Sequence, residues 1–187
     1  MSSAQELLAK PGTIGYGILE AGKRFPARTA FVFGDRTATY AEFAAQTVDC
    51  ARSLIGHGVQ PGDHVGILMP NNWAYAILTS ALNLIGACAT VLNARYRGED
   101  LQYVVRHADI TVLFTTGSAR PALDLRALLC SQFPELSDWR RGTRLSAAGA
   151  PALRSVFHFD AQDETAWPTE AEFRAAGERL GVIPGGE

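Results

Sequence analysis

The sequence predicts an α/β fold, a parallel-rich sheet covered by helices on both faces, with an N-terminal β-hairpin. Residues 64–69 (HVGILM), 88–92 (CATVL) and 111–115 (TVLFT) are short runs without polar alternation, as expected of strands buried on both faces. The stretches between them carry helical spacing, and parallel neighbours need a covering helix for each return crossing. Gly34-Asp35 sits between residues 30–33 and 36–39, and Gly first in a two-residue loop is the signature of a type II′ hairpin.

Each element has its own local reason. Residues 14–25 read as a helix with Ile14, Ile18 and Leu19 toward the core, weakened by Gly15, Gly17 and Gly22. After the hairpin, Thr39 and Glu42 have capping-box spacing, and Ala44, Val48, Ala51 and Ile55 form the expected buried stripe of a helix that Gly56 ends. Residues 58–63 turn the chain into the first parallel strand. Pro70-Asn71-Asn72 stops that strand and offers Asn71 or Asn72 as an N-cap. The next helix is apolar on most sides, with Trp73, Ile77, Ala81 and Leu84 on one stripe and Ala74, Leu78, Leu82 and Ile85 on the next. Gly86 ends it. Glu99 and Asp100 open a further helix, in which Leu101, Val104, Val105 and Ala108 lie on one side and Arg106 and His107 meet the negative end of the dipole.

Beyond the third strand, residues 117–121 read as a loop, and Leu125, Leu128 and Leu129 mark another helix. Residues 155–159 (SVFHF) read as a fourth parallel strand. Residues 132–153 show no period and are expected to form an irregular surface connection. Thr169 and Glu172 repeat the capping-box spacing before a short helix, and residues 177–187 read as a linker-like tail.

Composition narrows the function. With 187 residues, 47% hydrophobic and 19% charged, the chain is globular. A formal charge of −2 gives no general attraction to nucleic acid or anionic lipid. Arg140, Arg141 and Arg144 beside Trp139 could be taken for a nucleic-acid patch, but three arginines in an irregular segment are more simply solvated, and no nucleic-acid partner is expected. Cys50, Cys88 and Cys130 are far apart and fit buried thiols in a reducing compartment; with no signal-peptide core in the first ten residues, the expected location is cytoplasmic. No metal site is expected, since His57 and His64 lack ligands at suitable spacing. Residues 17–23 match seven positions of a phosphate-binding loop, but Arg24 stands where Ser or Thr should hold magnesium, and no strand precedes the first glycine. Residues 65–94 carry no charge, and 73–92 have the length of a membrane span, about 20 residues. Asn83, Gly86 and the Pro-Asn-Asn turn fall at strand–helix boundaries instead, so no membrane span is expected.

In order and spacing these motifs resemble the beginning of an AMP-forming acyl-CoA synthetase, of the adenylate-forming ligase superfamily. The likeness lies in Gly34-Asp35-Arg36, the TYAEF of residues 39–43, residues 58–63 and 65–71, Leu84-Ile85-Gly86-Ala87, and Val91-Leu92-Asn93-Ala94-Arg95. It covers residues 10–116 well and the rest loosely. The chain departs from the pattern at Ala94, usually Pro, and at Ala74, often acidic.

The resemblance implies that residues 1–187 form a partial N-terminal domain of a carboxylate–CoA ligase, fatty acids being the expected substrates. The intact enzyme would use ATP, Mg2+ and CoA to make an acyl-adenylate and then a thioester. The family's phosphate-gripping loop, its Tyr-Gly-x-Thr-Glu segment and its C-terminal lysine are absent from this sequence; Thr115-Thr116-Gly117-Ser118 lacks the second glycine and the lysine, and reads as a plain strand-to-helix loop. The chain alone is therefore expected to be inactive, to bind none of these cofactors tightly, and to supply scaffold to its partner, the remainder of the ligase. An uncovered apolar patch and self-association are expected with it. The alternative is a non-catalytic α/β binding module derived from the family. Catalytic residues are expected to be none. The one candidate site residue is Arg95, matching an arginine that in some related ligases pairs with a CoA phosphate. The competing reading of Arg95 is a plain surface arginine beside the Glu99-Asp100 helix start, a common state.

Overall fold

The computed structural model describes residues 12–96, 98–116, 118–120, 123–159 and 167–179. In chain order the elements are α1 (Ile14–Arg24), β1 (Thr29–Phe33), β2 (Arg36–Thr39), α2 (Tyr40–Gly56), β3 (His64–Leu68), α3 (Trp73–Ile85), β4 (Cys88–Val91), α4 (Glu99–His107), β5 (Val112–Thr116), β6 (Ser118–Arg120), β7 (Leu123–Asp124), α5 (Leu125–Gln132), α6 (Glu135–Asp138), β8 (Ser155–Phe159) and α7 (Glu170–Glu178). The α/β class read from the sequence holds: a four-stranded parallel sheet flanked by helices, and an antiparallel hairpin. The chain divides into two compact units. One holds the described residues up to Gly62, Asn71–Cys88 and those from Arg174 onward; the other holds Asp63–Pro70 and Ala89–Phe173.

In the first unit, α1, α2 and α3 pack on one another and the β1–β2 hairpin rests on α2. Gly34 turns the hairpin at φ +57, a backbone state that costs glycine little. The Thr39–Glu42 capping box forms in full, each side chain bonded to the other residue's backbone N–H. Asn72 is the N-cap of α3, its Oδ1 accepting from the Tyr75 N–H at 2.8 Å, and Gly86 closes that helix at φ +72. Residues 73–92 are thus helix, turn and strand, and among the described residues no helix is long and apolar enough to cross a membrane.

Packing corrects two helix faces. Ile14, expected inside, is 71% exposed, while Gly15 is the fully buried residue of α1: a Cβ there would lie 2.4 Å from the Leu84 Cα. The glycine that weakens the helix by propensity is what lets α1 approach α3. On α2 the buried side is Thr47, Cys50, Ala51, Ser53 and Leu54, so only Ala51 of the expected stripe is fully buried. Gly56 is the last helical residue, as expected; His57 is the C-cap, and the positive φ of +75 falls on Gly58. The phosphate-loop match at residues 17–23 lies wholly inside α1. Cys50 is buried, but Cys88 is exposed, against expectation.

The second unit is built on the sheet, in the order β4-β3-β5-β8. Val65, Gly66, Ile67 and Leu68 of β3 pair with Val112, Leu113, Phe114 and Thr115 of β5, which in turn runs parallel to β8 with Thr115 opposite His158. Because side chains alternate, Leu68, Leu113 and Val156 share one face. They enter a core with Leu101 and Val105 of α4, Leu125 and Leu129 of α5, and Trp167. On the other face Phe114, Phe157 and Phe159 gather around Phe173, with ring centroids 5.1–5.5 Å apart.

The stretch 132–153 is not a surface connection. Beyond Gln132, which ends α5, it holds the single helical turn α6, yet Phe133, Leu136, Trp139, Leu145, Ala147, Ala150 and Leu153 all belong to the core. Trp139 is 7% exposed and donates its indole N–H to the Thr143 carbonyl, while Arg141 pairs with Glu172 at 2.8 Å. The Thr169–Glu172 capping box forms at the start of α7. That helix runs to Glu178, so Gly177 and Glu178, expected in a linker-like tail, are helical; residues 180–187 lie outside the described ones.

Candidate functional site at the carboxyl edge of the sheet

In open parallel sheets ligands bind beyond the carboxyl ends of the strands. At the end of β4, Leu92 is buried and donates its N–H to the Ile67 carbonyl at 2.9 Å. Asn93 then makes two bonds. Its Oδ1 accepts from the Arg95 N–H at 2.9 Å, and its backbone carbonyl accepts from the Tyr96 N–H at 2.9 Å. The result is a tight turn with a side-chain brace, the local habit of asparagine. Ala94 and Tyr96 are half-buried against the core, while Arg95 between them is exposed. Its guanidinium stands on a fixed backbone with its donors in water, an arrangement suited to a phosphate or carboxylate.

At the end of β5, Thr115 and Thr116 are buried, and neither hydroxyl has a hydrogen-bond partner among the described residues. A buried hydroxyl left unbonded costs about 1–3 kcal/mol, so two in succession are unusual. His158, opposite Thr115 on β8, is also buried, its ring edge-on to Trp167 with centroids 6.0 Å apart. The plain loop expected after Thr116 is instead a small antiparallel pair, β6 with β7, leading into Asp124, whose carboxylate caps α5 through the Ala127 N–H at 2.9 Å. Gly117 lies outside the described residues.

The carboxylates are committed elsewhere. Glu42 serves its capping box, and the Thr39 backbone N–H, followed by the Thr39 hydroxyl, lowers its pKa from the ordinary 4.5. Asp63 pairs with Arg154 at 2.9 Å, and Glu99 and Asp100 occupy the first turn of α4. Asp109 takes φ +48 at the entry to β5. Among the described residues no three His, Cys, Asp or Glu side chains gather in one cluster. His64 faces the Ala108 carbonyl, 2.6 Å from its Nδ1. In the first unit a cleft of about 230 Å³ beside α2 is lined by Asp49, Arg52, Ser53, Arg174, Gly177 and Glu178 and mixes both charges.

Arg95 was marked in the sequence through resemblance alone. The Asn93 brace and the unbonded threonines carried no signal there beyond the turn preference of asparagine.

A four-stranded parallel sheet flanked by helices, with an antiparallel hairpin beside it in the sequence, defines an α/β protein. The chain belongs to the AMP-binding enzyme family, whose model matches residues 18–175. It is similar to a Mycobacterium tuberculosis 3-[(3aS,4S,7aS)-7a-methyl-1,5-dioxo-octahydro-1H-inden-4-yl]propanoyl:CoA ligase, 31% identical over 83% of this chain and 27% of that protein. A putative acyl-CoA synthetase of Bacillus subtilis, YngI, is 28% identical over 78% of this chain and 27% of its own length. In fold it resembles a putative long-chain-fatty-acid CoA ligase from Rhodopseudomonas palustris, with a TM-score of 0.67 and 20% identity over 92% of this chain and 37% of that one. The chain spans about a quarter of the length of these two curated relatives.

Proposed function

We propose that this chain is the N-terminal subdomain of an AMP-forming carboxylate–CoA ligase acting in the cytoplasm, with a fatty or related carboxylic acid as substrate. The match of the family model across residues 18–175, together with relatives named as a CoA ligase and a putative acyl-CoA synthetase, supports the reading. In the whole enzyme a carboxylate attacks the α-phosphate of ATP, releasing pyrophosphate, and the CoA thiol then displaces AMP to give the thioester. The charge developed in the first step needs preorganised donors and a metal ion. The described acids of this chain fit caps and ion pairs instead, so its part is scaffold and one wall of the cleft. Arg95 is the exception. Its exposed guanidinium would hold a CoA phosphate by charge-assisted hydrogen bonds.

Exchange of labelled pyrophosphate into ATP, with carboxylic acids from short to long, tests the division of labour. The purified 187 residues are expected to give background exchange, and the same reading frame followed downstream is expected to give exchange above it. Activity from the 187 residues alone would overturn the scaffold role. Silence from both would favour the non-catalytic binding module.

A further inference from the structure

Arg95 has a long, flexible side chain, and an exposed arginine ordinarily loses much rotamer freedom on binding. What the protein can fix in advance is the backbone that carries it. Three contacts do so here. Leu92 is locked to β3 through the Ile67 carbonyl, Tyr96 is tied to Asn93 across the turn, and the Arg95 N–H itself is held by the Asn93 side chain. The first two would survive any change at the Asn93 side chain; the third would not. Asn93 is exposed, half-buried Ala94 and Tyr96 supply the turn's packing, and the Asn93 side-chain oxygen accepts from the Arg95 N–H.

We infer that Asn93 is a positioning residue for phosphate recognition, its side-chain carbonyl oxygen fixing the Arg95 backbone so that the guanidinium is presented at the carboxyl edge of the sheet. The inference rests on the reading of Arg95 as a CoA-phosphate contact. It adds that affinity depends on an oxygen two residues away that never touches the ligand. Serine at the same place can brace a turn in the same manner, though more weakly, whereas alanine cannot.

The test is a titration of the 187-residue chain with CoA, and with phosphate-free pantetheine as control, followed by NMR at the Arg95 Nε–H, with amide hydrogen exchange at Arg95 and Tyr96. CoA at millimolar concentration is expected to shift the Arg95 signal and pantetheine to leave it. Asn93→Ala should weaken CoA binding about threefold to tenfold and speed exchange of the Arg95 amide while leaving the melting temperature within a degree or two. Asn93→Ser should recover part of both losses, and serves also if the alanine variant folds poorly. Arg95→Ala leaving CoA binding unchanged, or no CoA-dependent shift at all, would overturn the Arg95 reading and the inference with it. Weaker binding in Arg95→Ala but unchanged binding in both Asn93 variants would overturn the inference alone. A loss in Asn93→Ala that serine does not relieve, accompanied by a lowered melting temperature, would assign Asn93 to stability and also overturn it.

Discussion

α1 and the stretch from Phe133 to Leu153 reach burial by opposite means. α1 is a regular helix whose one fully buried residue has no side chain; Gly15 lets the backbone of Leu84 approach to a distance no Cβ would allow. The second stretch has one helical turn and sends seven apolar side chains into the core of its unit. A helix can therefore dock through the absence of a side chain, and an irregular backbone can be anchored through the presence of several. Periodicity registers neither. It detects side chains repeated on one face, and so favours helices and strands that bury their own stripe.

Substitutions can break or sharpen this contrast. The largest effect is expected at Phe133. Truncation to alanine should cost about 3–5 kcal/mol in urea denaturation, against less than about 0.5 kcal/mol for a surface loop. Gly15→Ala comes next, because propensity and packing disagree about its sign. Helix propensity alone would stabilise by up to about 1 kcal/mol, but the clash with Leu84 backbone cannot relax through a flexible side chain, so a loss of about 1–3 kcal/mol is expected. Gly17, two residues on and with nothing within 4 Å of its added Cβ, is the control: Gly17→Ala should gain about 0.5–1 kcal/mol. Opposite signs at these two positions in thermal melts would establish that α1 docks through Gly15, and equal signs would refute it.

Local signals should matter less, and equally in both settings. Thr39→Ala and Thr169→Ala each remove a hydroxyl from a capping box, and each should cost about 1 kcal/mol. The smallest expected effect is on pH dependence. Glu42 and Glu172 each accept the backbone N–H of their own cap residue, Thr39 and Thr169, which lowers both pKa values from 4.5. The unfolded chain then takes up protons first as pH falls, so their contribution is complete above about pH 5 and is lost as pH drops through the folded values. Melting temperature followed from about pH 6 to pH 3 should fall less steeply in Glu42→Gln and Glu172→Gln than in the parent.

The sheet was legible because its signals are local and redundant. HVGIL, CATV and SVFHF are short apolar-rich runs, and the caps at Thr39, Asn72 and Thr169 lie within three residues of the N–H groups they satisfy. The candidate site was less so. The position of Arg95 came from likeness to a family, and nothing in LNARY distinguishes a braced turn from a loose one until the Asn93 Oδ1 is seen against the Arg95 N–H. For Thr115 and Thr116 the informative feature is a missing bond, which depends on every group that surrounds them.

By itself the sequence determined the α/β class, the run of capped helices and apolar strands, and the likeness to adenylate-forming ligases, because each depends on residues within about four positions of one another or on a linear order of motifs. Only the tertiary structure decided that α1 docks through Gly15, that α2 turns Leu54 rather than Ile55 fully inward, and that Phe133 to Leu153 belongs to a core. Those outcomes depend on which surface arrives from elsewhere in the chain. A residue carries its size and polarity in its own letter, but its burial is set by neighbours tens of positions away, as the 69 places between Gly15 and Leu84 show.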